Sequence, residues 1–120
     1  MPSTILVVDD SPTEQRIILD GLKSTGHQIL TANDGEQALE MARKHHPSLI
    51  LLDVILPKKN GFQVCRQLKT APETEGIKIV LVTSKTQDSD RFWGLKQGAD
   101  DYLGKPFTQD ELETTLAKFL

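Results

Sequence analysis

Three acids and a hydroxyl follow three apolar runs in this chain. Ile5-Leu6-Val7-Val8 leads into Asp9-Asp10, Leu49-Ile50-Leu51-Leu52 into Asp53, and Ile79-Val80-Leu81-Val82 into Thr83-Ser84-Lys85. Carboxylates gathered in one place repel: two unit charges about 5 Å apart at an effective dielectric of 20 cost roughly 3 kcal/mol. Such a cluster needs a cation. With only oxygen donors on offer the ion should be hard, and Mg²⁺ suits because it binds through one or two carboxylates and completes its shell with water and phosphate. A carboxylate beside Mg²⁺ can also be a nucleophile towards a phosphoryl group, giving an aspartyl phosphate. That transfer is mostly positioning and charge neutralisation. Thr83 can donate a hydrogen bond to a phosphoryl oxygen, and Lys105, just before Pro106, can pair with phosphate as a point charge. A threonine after a strand is usually ordinary and a loop lysine usually solvated. What raises both is a shared position with the acids.

The elements that bring these residues together can be read along the chain. A short apolar run without alternation reads as a strand buried on both faces, the usual state of a strand in a parallel sheet. Ser11-Pro12-Thr13-Glu14 has the form of a capping box with proline at the first helical position. It opens a helix to about Ser24, with Ile17, Ile18 and Leu22 expected inward and Gly26 beyond its end. Gln28 to Ala32 is a short second strand. Asn33-Asp34-Gly35 is a turn that also caps a helix burying Ala38, Leu39 and Ala42. That helix closes at His45-His46-Pro47, because the residue before a proline avoids helical angles. After the strand ending at Asp53, Val54 to Asn60 is a loop, and Asn60-Gly61-Phe62-Gln63 is a second capping box that opens a helix carrying Phe62, Cys65 and Leu68 inward. Ile77 to Thr83 is the fourth strand. A helix from about Asp88 to Gln97 ends at Gly98, and Asp101-Tyr102-Leu103 is a short fifth strand. Thr108-Gln109-Asp110-Glu111 caps a last helix with Leu112, Leu116 and Phe119 inward.

Five alternating strand–helix units imply a parallel sheet with helices on both faces. A (β/α)8 barrel needs about 250 residues and is excluded. The remaining choice is a flavodoxin-like α/β fold, a doubly wound five-stranded sheet in the order 2-1-3-4-5, whose switch point lies between strands 1 and 3. Asp9, Asp10 and Asp53 would meet there.

Composition narrows the function classes. The 120 residues suit one domain over 1–120 with one core. A net charge of −3, with 17 acids against 14 lysines and arginines, argues against a nucleic-acid footprint, which needs a basic face. The single cysteine, Cys65, cannot form an intramolecular disulfide and reads as core. No apolar run approaches the ~20 residues of a membrane span, and the N-terminus is not a signal peptide, so the expected location is the cytoplasm. His27, His45 and His46 have no ligand spacing with the acids and read as surface or capping residues.

Asp9-Asp10, Asp53 with Pro57 four residues on and Gly61 four beyond, Thr83 and Lys105-Pro106 together resemble the response-regulator receiver domain, the CheY-like family, over the whole chain. The resemblance implies that Asp53 is the phosphoacceptor. It implies a Mg²⁺ site made by Asp9, Asp10, Asp53 and the backbone carbonyl of Ile55. Thr83 would be the switch hydroxyl and Lys105 the phosphate-pairing lysine, with a cis bond before Pro106. Tyr102 would be the aromatic switch residue, moving inward as Thr83 turns to the phosphate. The implied protein is a stand-alone response regulator of a two-component phosphorelay, with no output domain. It is not an enzyme beyond its own aspartyl phosphorylation and dephosphorylation. Its implied partners are a histidine kinase or phosphotransfer domain and a downstream protein, and it is expected as a monomer with no nucleic-acid or membrane partner. The downstream protein would read the face made by the fourth helix, fifth strand and fifth helix, including Phe92, Trp93 and Tyr102. Phe92 and Trp93 are adjacent and cannot both point into the core. Apolar bulk at Ile55 is expected to shield the acyl phosphate from water. Asp10-Ser11-Pro12-Thr13-Glu14 and the run from Thr83 to Pro106, with Trp93-Gly94 and Lys96-Gln97-Gly98-Ala99, is further similar to PilH-type regulators of type IV pilus twitching motility and phototaxis.

Two other readings stay open at this point. A degenerate receiver could bind a partner without phosphorylation, although the complete set of acids, hydroxyl and lysine argues against it. A small phosphohydrolase of the aspartyl-phosphate type would need a second acid two residues after the nucleophile as proton donor, and that position is Ile55. Flavin binding on the same fold would need a phosphate loop rich in Ser, Thr and Gly, where Asp10-Ser11-Pro12 would repel a phosphate.

Overall fold

The computed structural model describes residues 3–120. Among these, five strands alternate with five α-helices. In chain order they are β1 (Thr4–Val8), α1 (Pro12–Leu22), β2 (Gln28–Ala32), α2 (Gly35–His45), β3 (Leu49–Leu52), α3 (Gly61–Thr70), β4 (Lys78–Thr83), α4 (Asp88–Lys96), β5 (Asp101–Gly104) and α5 (Gln109–Ala117). All strand pairs are parallel and the order is β2-β1-β3-β4-β5, the flavodoxin-like arrangement.

The apolar runs are continuous because both faces of the sheet are covered. Successive side chains of a strand point to opposite faces, so each run feeds two cores. Leu6, Val8, Ile50, Leu52, Ile79 and Leu81 meet α2 and α3 through Ala38, Leu39, Ala42, Val64, Cys65 and Leu68. Ile5, Val7, Leu49, Leu51, Val80 and Val82 meet α1 and α5 through Ile18, Leu22, Leu112 and Leu116.

The helix ends follow local chemistry. The Asn60–Gln63 and Thr108–Glu111 capping boxes are both complete. Asp34 caps α2 by accepting from the Gln37 amide at 2.7 Å, and α2 stops where His46, the residue before Pro47, takes a left-handed conformation at φ 46°. The Ser11–Glu14 box is only half made. Ser11 Oγ accepts from the Glu14 amide, but the Ser11 amide donates to Asp9 Oδ1 and the Glu14 carboxylate goes elsewhere.

Three inward expectations need correction. Ile17 is 56% exposed. Adjacent helical residues are turned about 100° apart, and Ile18 and Leu22, four apart, take the sheet-facing positions instead. Phe62 and Phe119 are only partly buried against their cores. The first helix also ends two residues early, at Leu22, and continues as a 3₁₀ turn over Lys23–Thr25.

Candidate active site

The parallel ladder runs one residue past three strands, and this brings the site together. The Asp9 amide donates to Ala32 O (3.2 Å), the Asp53 amide to Val8 O (3.0 Å) and the Lys105 amide to Thr83 O (2.9 Å). Asp9 and Asp53, at the ends of the neighbouring strands β1 and β3, and Lys105, after β5 on the far side of β4, therefore share the carboxyl rim of the sheet, where ligand crevices form in open α/β folds. The Lys105–Pro106 peptide is cis, as expected.

Gly61 holds the Asp53 turn in place. Its amide donates to Val54 O at 2.8 Å, and a Cβ built on it would lie 2.2 Å from Asp53 O. Only a residue without a side chain lets the start of α3 approach the Asp53 backbone this closely.

Lys105 is the centre of the charge arrangement. Its Nζ donates to Asp9 Oδ2 at 2.6 Å, Glu14 Oε2 at 2.8 Å and Asp53 Oδ2 at 3.1 Å. An ammonium has three donors, and all three are used. The Asp9 and Asp53 side chains and the lysine are nearly buried, while Glu14 stays 46% exposed. Burial works against the charge of Lys105, but the bonds to Asp9, Glu14 and Asp53 outweigh it and hold the ammonium above its usual range. Burial pushes the Asp9 carboxyl up, against the pull of Lys105 and of the Ser11 amide. The second oxygens are also satisfied: Asp9 Oδ1 accepts from Ser11 and Asp53 Oδ1 from the Ile55 amide at 3.2 Å.

Glu14 was missing from the residues singled out in the sequence, and Asp10 does not join the group. Among the described residues, the three carboxylates whose oxygens lie within 4.8 Å of one another are Asp9, Glu14 and Asp53. Asp10 is exposed, because successive side chains leaving a strand point opposite ways and Asp9 points inward. A usable signal existed. Glu14 occupies the third position of the helix that starts beside the acids, so it lies over the same rim. An all-oxygen set around one lysine suits a hard divalent cation better than a soft one, and on this ground the residues fit Mg²⁺.

The remaining expected residues lie close by or outside. Thr83 is fully buried at the end of β4, and its hydroxyl accepts from the Lys85 amide at 3.4 Å. Tyr102 is 8% exposed and its hydroxyl donates to Lys85 O. It is therefore turned inward in this structure and does not offer its ring to the outer face. Ile55, Phe92 and Trp93 are exposed, the last two at 62% and 51%. Both aromatics point out because α4 packs through Gly94, where a Cβ would lie 2.7 Å from Leu81 Cδ1. Beside the site a cleft of about 240 Å³ is lined by Glu14, Ile17, Ile18, Ser84, Lys105, Pro106 and Phe107.

The strand order and a lysine-bridged acid pair at the switch point define a flavodoxin-like α/β domain with an acidic site on the sheet rim. The model of the response regulator receiver domain matches residues 5–117, and the chain belongs to that family. It is 44% identical over 112 residues to Protein PilH of Pseudomonas aeruginosa, covering 93% of each chain. It spans about half the length of the transcriptional regulators it also matches. Among solved structures it is similar to the receiver domain of the sensor histidine kinase PA1611 of P. aeruginosa, a structure with a magnesium ion coordinated in its active-site cleft (TM-score 0.91, 31% identity, 99% and 98% of the two chains). It is similar too to the chemotaxis response regulator CheY4 of Vibrio cholerae (TM-score 0.92, 29% identity, all of both chains). The chain is thus a receiver of the two-component signalling class.

Proposed function

We propose that Asp53 accepts a phosphoryl group from a histidine kinase or phosphotransfer domain, and that the modified domain then changes its affinity for a protein partner. The observation that carries this reading is the Lys105 ammonium shared between two nearly buried carboxylates, Asp9 and Asp53, at the ends of neighbouring strands. An Asp53 oxygen forms a bond to phosphorus as the donor's N–P bond breaks. The electron pair stays on the imidazole nitrogen, which takes a proton from water. Lys105 exchanges a carboxylate oxygen for a phosphoryl oxygen, and Thr83 donates its hydroxyl to another. Asp9 and Asp53, with Asp10 and the Ile55 carbonyl as further oxygen donors on the rim, would hold Mg²⁺, which when bound would neutralise charge on the transferred group.

Charge-assisted hydrogen bonds are worth about 1.5–3 kcal/mol each. Two of them, from Thr83 and Lys105, total about 3–6 kcal/mol, the order of the roughly 5.5 kcal/mol needed to move a two-state element from 1:99 to 99:1. The likeness to PilH supports a place in chemotaxis-like control of pilus motility. The exposed Phe92 and Trp93 on α4 support the face of α4, β5 and α5 as the partner surface.

The test is intact mass after incubation with Mg²⁺ and acetyl phosphate, on the wild type and Asp53→Asn. A single phosphoryl adduct on the wild type alone is expected. No adduct on the wild type, or an equal adduct on both proteins, overturns the assignment.

A further inference from the structure

The acid that the sequence motif does not require carries the strongest remaining inference. Glu14 begins as the reciprocal partner of a capping box, a role that would hold its carboxylate on the Ser11 amide. That amide is taken instead by Asp9 Oδ1 at 2.9 Å. Glu14 Oε2 reaches the sheet rim and takes the third donor of Lys105 at 2.8 Å, across a sequence separation of 91 residues. It is the half-exposed member of the cluster and also lines the cleft that opens beside it.

We propose that Glu14 is a specificity-determining residue for phosphorylation: an anionic competitor for Lys105 that favours the cation and disfavours the phosphoryl group. This rests on the assignment of Asp53 as phosphoacceptor. In the resting site all three donors of Lys105 are taken, and once a cation displaces the ammonium from Asp9 and Asp53, Glu14 remains as the carboxylate that competes with a phosphoryl oxygen for it. Glu14 also adds a negative charge at the mouth through which a free anionic donor must arrive. A divalent cation between Asp9 and Asp53 must push the ammonium aside, and Glu14 is the carboxylate that keeps it paired when that happens. One side chain therefore acts with opposite sign on the two ligands. The effect is strongest against small acyl phosphates, whose charge nothing shields, and it weakens with salt.

Glu14→Gln keeps the shape and the helix propensity and removes the charge. Mg²⁺ alone is titrated by calorimetry, and beryllofluoride is then titrated at saturating Mg²⁺ by fluorine NMR. For a half-exposed ion pair the expected changes are about two- to fivefold each. Mg²⁺ binds more weakly to the variant, beryllofluoride binds more tightly, and acetyl phosphate charges it faster at low salt. Glu14→Lys extends both shifts in the same directions. A disturbed fold would weaken both ligands, so weakening of both overturns the proposal, as does no change in either. If wild type takes neither beryllofluoride nor a phosphoryl adduct, the Asp53 reading fails instead. If the wild type takes both and Glu14→Gln matches it, only the role of Glu14 fails.

Discussion

The Tyr102 hydroxyl donates to the backbone carbonyl of Lys85, two residues beyond Thr83. The side chain of the fifth strand thus holds the loop that leaves the fourth, and the Arg91 guanidinium lies 5.2 Å over the same ring. The phenol and the Thr83 hydroxyl are therefore linked through three residues of backbone.

This contact gives a pH signature. Burial, followed by the nearby Asp90, pushes the Tyr102 phenol up to about 12 from an ordinary 10.0. Between those values the unfolded chain has released the proton and the folded one keeps it, so the unfolded state binds fewer protons and stability falls as pH rises. Below pH 10 this group contributes no slope. Urea unfolding from pH 9 to 11.5 should show a steeper decline in the wild type than in Tyr102→Phe. At pH 7 the variant should be about 1 kcal/mol less stable, from the lost hydrogen bond.

Lys105→Met should show how much the ammonium does for the resting site. It leaves the buried carboxylates of Asp9 and Asp53 without their shared cation. Breaking a buried pair in this way costs about 3–5 kcal/mol, reduced here because Glu14 is half exposed. Burial already pushes the Asp9 carboxyl up, and without Lys105 it loses the main opposing pull, so it binds its proton more tightly in the folded state and part of the loss returns as pH falls from 7 to 5. Mg²⁺ should raise the melting temperature of the variant more than that of the wild type. Thermal melts with and without 10-fold changes in Mg²⁺ measure both effects.

Gly61→Ala should damage the site and the fold together. The new Cβ would meet Asp53 O at 2.2 Å and Val54 Cα at 2.7 Å, and neither backbone atom can yield as a flexible side chain could. A loss of about 1–3 kcal/mol is expected from overpacking. Acetyl phosphate labelling of Asp53 should slow in the folded fraction. Gly76→Ala, where nothing lies within 4 Å of the added Cβ, should leave labelling unchanged.

Cys65 should be inert. It is fully buried, and burial pushes its thiol up to about 12. At pH 8 the thiolate, which is the reactive form, is scarce and covered. Native protein should react with a disulfide reagent only as fast as it opens, whereas protein in urea should react at once. A rapid native phase would mean that the contact between α3 and the end of α4, where the thiol faces Gln97 O, is looser than the structure shows.

Much of the architecture was legible in the residues because the signals were local. Continuous four-residue apolar runs read as strands covered on both faces, and the alternation with helices marked β1, β3 and β4 as parallel. Asn60 with Gln63, Thr108 with Glu111, and Pro47 after His46 each act within a few residues, so the helix ends could be read from the chain. Ile17 and Ile18 could not be ranked, because the choice depends on which side of α1 meets the sheet. The aromatics of α4 posed the same difficulty: adjacency showed only that both cannot point inward, and both point out once Gly94 sets the contact.

The site divides along the same line. The types and order of Asp9, Asp53, Thr83 and Lys105 already named a phosphate and cation chemistry, because each follows a strand and parallel strands end on one rim. The partner of each charge was left to tertiary structure. Glu14 and Lys105 are 91 positions apart, and Glu14 had a satisfactory local explanation as half of a capping box. Its carboxylate meets the lysine because Asp9 has taken the Ser11 amide and because the third donor of a nearly buried ammonium, already bonded to Asp9 and Asp53, needs an acceptor. Asp10 was left outside by the alternation of the strand. Sequence spacing determines which residues arrive at the rim, and three-dimensional competition for hydrogen bonds decides which of them meet.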